Sequence, residues 1–437
     1  MEKVRKILLL LCVTPMLLSA KTLEEYVDAA NNGDAEAQFH LGKHYAAMGD
    51  TIHEATVVGH RNGKTNTLSW TLRKKGQGSP MNDTIAFEWY EKSANQGYVL
   101  AQVELGFCYM YGLGVGQDCA KALGYYHKAA EQNNAIAQRQ LGENYSYGIG
   151  MTSGNDSIAL CWYRRAAENG DVSSMTRVGD CYWGGYGVPK NDSIAVHWYK
   201  KAAENGDGFA MGRVGDCYFG ARGVPKNDSI AVHWYKKAAE NGDSFAMAHV
   251  GVCYLGGRGV PKSDSIAIHW YKKAAEKGNG YAMNSLGYFY SMGIGVPKDD
   301  SIAFHYYKKS TKNHFDYGRT FLILGDCYKS GRGVGKDYVK AAEMYREAAL
   351  QNNAEAQYKL GVCYFDGFAY PKDYAEAVKW WRKAAEQGYP KAQYELGKSY
   401  LKGRGVAPDV SEGKYWVKKA ANRGNRSAIH FCKKKGW

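Results

Sequence analysis

Cysteine is the reactive residue that recurs most regularly in this chain. Six of the ten cysteines follow a glycine by two residues in a repeating pattern, namely Cys108, Cys181, Cys217, Cys253, Cys327 and Cys363. A disulfide requires Cα atoms within ~7 Å, whereas equivalent packed helices lie ~8–10 Å apart. We therefore predict that no disulfide joins these six side chains, and that each is buried as a small apolar group. The pairing of Cys119, Cys161 and Cys432 stays open.

Histidine forms a second series, with one residue in each of four repeats: His197, His233, His269 and His305. A zinc ion needs ligands about 2 Å away, so residues a whole repeat apart cannot share it. The series predicts a packing role beside tryptophan. We expect neither a metal site nor a cofactor.

Two further patterns resemble catalytic or phosphate-binding motifs. The glycine-rich stretches Gly112–Gly116 and Gly331–Gly335 lack the preceding strand that a phosphate loop requires. Ser399 and Lys402, like Ser411 and Lys414, match S-x-x-K without the companion motifs of penicillin-recognising enzymes. We interpret the first pair as repeat turns and the second as chance, and we predict no catalytic site.

A 36-residue repeat positions all of these residues. Val188–Asp207 and Val224–Asp243 have identical sequences. Each repeat carries an anchor glycine that is preceded by Leu or Val and followed three residues later by Tyr. These anchors are Gly42, Gly106, Gly142, Gly179, Gly215, Gly251, Gly287, Gly325, Gly361 and Gly397.

One repeat reads as two helices joined by a turn. In the first helix, Ala210, Val214, Cys217 and Tyr218 have the spacing of one apolar stripe. Gly220, Gly223 and Pro225 interrupt this helix. We call it the A helix, and the helix that follows it the B helix.

The B helix has its own start signal, stripe and stop. Asn227, Asp228 and Ser229 offer N-cap oxygens, and Gly242 can end the helix as a C′ glycine. The predicted stripe is formed by Ala231, Trp234, Ala238 and Ala239. We accordingly predict that Trp198, Trp234 and Trp270 are buried between repeats.

These patterns predict an all-α fold, a right-handed α-solenoid of about ten helix-turn-helix repeats, because a single helix pair cannot bury its own apolar face. One insertion, residues 50–78, interrupts the first repeat. In it, Ala55–Arg61 and Lys64–Leu72 flank Asn62-Gly63, which predicts a β-hairpin. A disordered loop is the alternative.

The pattern A-x-x-W-Y-x-K-A-A-E-x-G, then A-x-x-x-L-G-x-x-Y, then G-x-G-V, closely resembles the Sel-one-like repeat family. The resemblance extends from about Leu23 to about Gly424. It implies a scaffold or adaptor for other proteins and no common catalytic site. The competing class is a cell-wall or β-lactam-type hydrolase, as proposed for cysteine-rich relatives. Those relatives bridge two cysteines within each repeat, a pattern from which this sequence departs.

The first twenty residues differ from the repeats. Lys3, Arg5 and Lys6 precede the apolar run Ile7–Leu18, as in a secretory signal peptide. We therefore divide the chain into a signal peptide, residues 1–20, and a solenoid, residues 21–437, with residues 425–437 as a C-terminal cap. A periplasmic or secreted bacterial protein is expected, with no integral membrane segment after cleavage.

The net charge of +14 permits attraction to an acidic protein or peptide partner. Much of this charge comes from lysines that recur on one solvated helix face. We expect no nucleic-acid partner, because nothing in the sequence resembles a nucleic-acid-binding module. The oligomeric state stays open.

A binding groove is predicted on the A helices, which line the concave surface in solenoids of the family that the pattern resembles. Rotating 100° per residue away from Val214 selects the side chains that point from the buried stripe. With their equivalents in neighbouring repeats they are Arg177, Asp180, Trp183, Phe209, Arg213, Asp216, Phe219, Phe245, His249 and Leu255. Aromatic residues and arginine are enriched at binding hot spots. The inserted hairpin is the alternative contact.

We predict that the mature protein begins near Lys21, because small residues precede it after the apolar run. N-terminal sequencing of the protein from its native cell envelope tests this. Recovery of an intact Met1 would contradict export.

Overall fold

The computed structural model describes residues 22–48, 52–61, 64–73, 80–150, 153–313 and 317–437. The predicted signal peptide, residues 1–20, lies outside this part of the chain. The chain divides into two compact units, Met1–Asp207 and Gly208–Trp437. In both units, each helix pair consists of an A helix followed by its B helix.

The described part of the first unit comprises a leading helix, four helix pairs and a two-stranded insertion. Its elements are α1 Leu23–Asn31, α2 Ala35–Met48, β1 Ile52–Arg61, β2 Lys64–Arg73, α3 Pro80–Asn95, α4 Val99–Tyr111, α5 Cys119–Glu131, α6 Ala135–Tyr147, α7 Asp156–Glu168, α8 Val172–Gly184 and α9 Asp192–Glu204.

The described part of the second unit comprises six helix pairs and a closing helix. Its elements are α10 Gly208–Gly220, α11 Asp228–Glu240, α12 Ser244–Gly256, α13 Asp264–Glu276, α14 Gly280–Met292, α15 Asp300–Ser310, a 3₁₀ turn Thr311–Asn313, α16 Tyr317–Ser330, α17 Tyr338–Leu350, α18 Ala354–Asp366, α19 Tyr374–Glu386, α20 Pro390–Lys402, α21 Val410–Asn422 and α22 Arg426–Lys435.

The predicted start and stop signals of the B helix are confirmed. The Asn227 side chain accepts a hydrogen bond from the Ile230 amide, which is an N-cap. Gly242 follows the helix with φ +88°, a conformation that costs glycine little. The all-α solenoid is thus built from the local signals that the sequence contains. The right-handed sense of its superhelix stays a prediction.

The core of a repeat is an aromatic ring that lies against the anchor glycine. A Cβ atom on Gly215 would come within 2.5 Å of the Tyr235 ring, and Tyr235 is 1% exposed. Glycine therefore allows the B-helix ring to touch the backbone of the A helix. The same contact joins Gly42 to Tyr90, Gly106 to Tyr126, Gly142 to Tyr163, Gly179 to Tyr199, Gly251 to Tyr271, Gly287 to Tyr307, Gly325 to Tyr345 and Gly361 to Trp381.

The predicted burial of Trp198, Trp234 and Trp270 is wrong. All three are half-buried, and the Lys237 ammonium lies 4.9 Å above the Trp234 ring. The neighbouring tyrosine takes the core position. Residues three and four after Ala231 both fit one helical stripe, so periodicity alone could not distinguish the tryptophan from the tyrosine.

The turn between A and B helices brings backbone against backbone. In the G-x-G-V turn after α12, Gly259 has φ +67°, and a Cβ atom there would lie 2.4 Å from the Asp228 carbonyl group. Asp228 begins the B helix of the preceding repeat. The second glycine of the turn thus serves inter-repeat packing, which leaves no free loop for a phosphate.

A buried glutamine register links helices in both units. The Gln357 amide nitrogen donates to the Ala349 carbonyl oxygen at 3.3 Å, and its amide oxygen accepts from Gln387 at 2.8 Å. Each such side chain stands four residues before an anchor glycine. The other members are Gln38, Gln102, Gln138 and Gln393. Sequence reasoning missed this register, although its spacing is regular.

The insertion of residues 50–78 separates α2 from α3 within one repeat. Its strands β1 and β2 are antiparallel, with a register from Ile52 opposite Arg73 to Arg61 opposite Lys64. They occupy the segment in which the sequence predicts a hairpin, and the Asn62-Gly63 turn lies outside the described residues. The backbone of β1 lies beside α4 and α6, which are both A helices.

Alanine substitutions at two glycines of one A helix should distinguish the effect of the ring contact on stability from the effect of helix propensity. Gly215→Ala should destabilise the protein by about 1–3 kcal/mol, because the new methyl group overlaps the Tyr235 ring. Gly212→Ala, on the same helix, meets only the end of the Asp243 side chain at 3.2 Å. This control should be neutral or gain about 0.5–1 kcal/mol. Urea unfolding measures both, and equal effects would contradict the ring contact.

Candidate partner-binding surface

Exposed aromatic side chains stand at one position of three successive A helices in the second unit. Phe209 is 51% exposed, Phe245 is 70% exposed and Tyr281 is 38% exposed. They lie in the first turns of α10, α12 and α14 at intervals of 36 residues. We call these three residues the aromatic stripe.

The helix repeat places charged residues on the same face as the stripe. On α10, Phe209, Arg213 and Asp216 are spaced i, i+4 and i+7, which aligns them on one side. The Arg213 guanidinium lies 4.8 Å above the Phe209 ring. It also approaches Asp216, with 3.8 Å between nitrogen and oxygen. The face therefore presents an aromatic ring beside an arginine whose charge is partly neutralised by a neighbouring aspartate.

Asp216 connects this face to the core. The Tyr235 hydroxyl donates to the Asp216 carboxylate at 2.9 Å, and His249 of the next A helix lies 3.9 Å from the same group. The His249 ring also stacks on Tyr235, with centroids 4.9 Å apart. Burial, followed by the Asp216 charge, raises the pKa of Tyr235 well above its ordinary value. The hydroxyl therefore stays a donor.

The same arrangement recurs further along the second unit. The Tyr345 hydroxyl donates to Asp326 at 2.7 Å, and the Lys359 ammonium donates to the same carboxylate at 2.8 Å. In the first unit, Tyr199 donates to Asp180 at 2.8 Å. A carboxylate directly after the anchor glycine thus holds the core tyrosine on the A-helix face.

Some charged contacts between neighbouring repeats are shorter than the i,i+3 contacts of the predicted groove residues. The i,i+3 pair Arg177–Asp180 has a separation of 3.9 Å, in the range where exposed pairs contribute little. By contrast, Lys43 lies 3.1 Å from Glu104 of the next A helix. Lys43 stands one residue after its anchor glycine, and Glu104 stands two residues before the next anchor glycine. Comparing repeats at this offset could have revealed the contact.

The predicted groove residues differ in exposure. In the first unit, Arg177 is exposed, whereas Trp183 is half-buried and meets the Tyr199 ring edge-on at 6.4 Å. In the second unit, Phe219 is half-buried beneath Arg258, 5.1 Å from its ring, and Leu255 is also half-buried. Phe209 and Phe245 are the exposed members on the second unit, and Arg213, Asp216 and His249 are half-buried on the same two helices. Their role in binding stays a prediction.

The two units present their A helices differently. In the first unit, β1 lies beside α4 and α6. In the described residues of the second unit, no strand lies on the A helices. The second unit therefore has the more open face.

The catalytic-like motifs have structural roles. Ser399 is 3% exposed, and its hydroxyl donates to the Glu395 carbonyl oxygen at 2.9 Å. Ser411 donates to the N-cap residue Asp409 at 2.6 Å. Within the described ranges, no cluster of three His, Cys, Asp or Glu side chains could hold a metal ion.

The histidine series is exposed rather than packed into the core. His233 meets the neighbouring Trp234 edge-on, with centroids 5.9 Å apart; His233 is exposed and Trp234 is half-buried. The predicted contact with tryptophan is therefore present, but it lies at the helix surface and does not add to the core. Among the helices that the structure describes, none combines the length and apolar character of a bilayer-spanning segment.

The predicted burial of the six in-register cysteines is confirmed. In the part of the chain that the structure describes, no disulfide joins them or Cys119, Cys161 and Cys432. Burial raises the pKa of Cys253 and Cys363 to about 11. Since the thiolate is the nucleophile, these two thiols have low reactivity in the folded protein.

Thiol labelling should follow burial. At pH 8, iodoacetamide should modify the exposed Cys161 rapidly in the folded protein. Cys253 and Cys363 should react only after unfolding, because they are buried and protonated. Peptide mass spectrometry of labelled samples, with urea-unfolded protein as control, measures the rates. Equal rates in the folded protein would contradict the buried register.

Comparison with known proteins identifies the repeat. The Sel1 repeat matches residues 72–98, 99–134, 135–171, 172–207, 208–243, 244–279, 280–314, 322–353, 354–389 and 390–425. The first match begins after the insertion begins and contains the B helix of the interrupted repeat. The matched segments therefore agree with the helix pairs of the structure.

Two solved structures and one curated protein show the extent of the similarity. The protective antigen c5321 of uropathogenic Escherichia coli, which displays an SLR fold, is 33% identical with a TM-score of 0.68, covering 93% of this chain and 81% of that chain. A Sel1 repeat protein from Oxalobacter formigenes is 29% identical with a TM-score of 0.47, covering 56% and 96%. HRD3A of Arabidopsis thaliana, an ERAD-associated E3 ubiquitin-protein ligase component, is 49% identical over 39 residues, covering 9% of this chain and 6% of that protein.

The resemblance drawn from the repeat pattern is thus confirmed across both units. Proteins built from such repeats generally act as protein-interaction scaffolds without enzymatic activity. The chain belongs to the Sel1 repeat family, and its fold is an α-solenoid of ten Sel1 repeats.

Proposed function

We propose that this protein is an exported scaffold that binds an extended segment of a partner protein on the A-helix face of its second unit. The aromatic stripe carries the proposal. Phe245 leaves 70% of its surface in water, although a phenyl ring gains free energy from burial. Three such rings at one position suit recognition, because aromatic residues dominate binding hot spots.

The spacing of the stripe limits the shape of the partner. Packed helix axes lie ~8–10 Å apart, and an extended chain advances about 3.3 Å per residue. One ring of the stripe therefore corresponds to every third residue of an extended peptide. A polyproline II segment has the same period, because it completes one turn in three residues and about 9.3 Å. We propose apolar or proline side chains at these positions of the partner.

The location outside the cytoplasm is proposed on two grounds. The first is the basic and apolar succession in residues 1–20. The second is the similarity to an Escherichia coli protein described as a protective antigen. Together these two grounds support our proposal that this chain is a periplasmic or secreted protein of a bacterial envelope.

The proposal includes no enzymatic role. The buried Ser399 hydroxyl is engaged with the backbone, and the in-register thiols are buried and held protonated at neutral pH where their pKa is raised. These side chains would be the nucleophiles of a hydrolase. Their arrangement supports a scaffold over the cell-wall or β-lactam-type alternative.

Removing the aromatic stripe should abolish partner binding without unfolding the protein. The triple variant Phe209→Ala, Phe245→Ala and Tyr281→Ala should weaken binding about ten-fold or more, as for hot-spot residues. The partner is first identified by photo-crosslinking from position 245 in the native envelope, and its affinity is then measured with purified components. Circular dichroism checks that helix content is unchanged.

A matched control removes exposed apolar residues from the B helices. Ile230, Ile266 and Ile302 are 37%, 41% and 38% exposed at one position of three repeats. Their triple replacement by alanine should leave the affinity unchanged. If this control loses binding while the stripe variant retains it, the partner binds the opposite face and the proposal is wrong.

A further inference from the structure

An open pocket of about 490 Å³ lies in the second unit, several repeats beyond the aromatic stripe. The first turns of α20 and α22 and the middle of α18 form its walls. All three are A helices or the closing helix that continues their series. Its lining combines tyrosine rings with basic side chains, including Tyr358, Tyr389, Tyr394, Lys391, Arg423 and Arg426.

Tyr389 occupies an N-cap position at this pocket without capping the helix. It is the N-cap residue of α20, yet it makes no side-chain capping bond. The preceding A helix is capped by Asn353, whose side chain accepts from the Ala356 amide. An asparagine at this position would satisfy a backbone donor. Tyr389 makes no such bond, and its phenol ring lies at the pocket wall instead.

The Tyr389 ring pairs with Tyr358, with centroids 5.4 Å apart. A similar pair in the first unit, Phe39 and Tyr98, has centroids 5.3 Å apart, but there Phe39 is only 7% exposed and forms core. Tyr358 and Tyr389 are instead half-buried and line open space. Packing alone therefore accounts for the first pair better than for the second.

The charge at the pocket is positive. Lys391, Arg423 and Arg426 are exposed cations in its lining. The carboxylate in the lining, Glu395, is paired with Lys398 at 2.7 Å. Arg423 is oriented by a hydrogen bond from its guanidinium to the Gly388 carbonyl oxygen at 3.1 Å. Its planar group can still contact an anion through its remaining donors.

The tyrosine hydroxyls add neutral donors to this positive site. Burial, followed by the charge of Glu355, raises the pKa of Tyr389 to about 12. The phenol therefore remains protonated at every physiological pH. A protonated phenol can donate to a carboxylate without adding negative charge.

We propose that this pocket binds an acidic peptide segment of the partner protein. Carboxylate side chains contact Arg423 and Arg426, and the peptide backbone lies against Tyr358 and Tyr389. Guanidinium groups match carboxylates geometrically, and rings on both walls supply apolar area. The inference rests on the proposed scaffold function but uses none of the residues of the aromatic stripe.

Fluorescence anisotropy of the full chain with fluorescein-labelled hexaglutamate tests the pocket directly. The double variant Arg423→Gln and Arg426→Gln should weaken binding about five-fold or more, because two cations that face the peptide are lost. The single variant Arg426→Gln, which keeps the Arg423 bond to Gly388, should show part of this loss. Circular dichroism verifies that each variant is folded.

A charge-matched control distinguishes the pocket from general attraction by a basic protein. Lys433→Gln with Lys434→Gln also removes two positive charges, from the other end of α22. This control should change the affinity less than about two-fold, because exposed charges beyond a Debye length are screened. Hexaglutamine should not bind, and sodium sulfate should compete no better than sodium chloride at equal ionic strength.

Equal losses in the two double variants would overturn the proposal, as would no binding of hexaglutamate by the unaltered protein. Strong competition by sulfate would show a general anion site instead of a peptide site, and it would also overturn it. The stripe variant Phe209→Ala, Phe245→Ala and Tyr281→Ala should bind hexaglutamate normally. Failure of the stripe and failure of the pocket are therefore observed separately.

Discussion

The contact between a B-helix ring and an A-helix glycine is the constraint on which each repeat depends. At Gly215, any side chain would overlap the Tyr235 ring, so the two helices can approach only with bare backbone at that point. The apposition buries a large ring with little side-chain entropy lost on the A helix. The last anchor, Gly397, meets Val417 instead, which shows that the glycine accepts a smaller apolar partner at the end of the series.

This layer also determines what the A-helix face can present. Because the core tyrosine fills the space above the glycine, its hydroxyl emerges beside the next residue, Asp216 in one repeat and Asp326 in another. The carboxylate then reaches His249 or Lys359 of the following A helix. On α10 the Phe209 ring stands two turns before Asp216, and on α12 the Phe245 ring stands about one turn before His249. Because both rings are exposed, they can change without disturbing the core contact.

The sequence predicts the repeat, the helix caps, the buried cysteines and the exposed Phe209 and Phe245. It fails where two residues fit one stripe equally well, as with Trp234 and Tyr235, because only the partner glycine decides between them. Rotation on a single helix also predicted exposed side chains at Trp183 and Phe219, which are half-buried. The Tyr199 ring of the same repeat covers Trp183, and Arg258 in a turn covers Phe219. The contact of Lys43 with Glu104 follows a regular offset from the anchor glycines that comparison of the repeats could have shown. The pocket around Tyr389 requires the packed structure.

Hydrogen exchange of the protein with and without its captured partner tests the central claim most directly. The claim is that the rings and glycines support the fold, whereas the A-helix face of the second unit binds. Protection gained on binding should then fall on α10, α12 and α14, with α11 and α13 unchanged, since bound backbone opens less often. Protection confined to α11 and α13, or to the first unit, would contradict it.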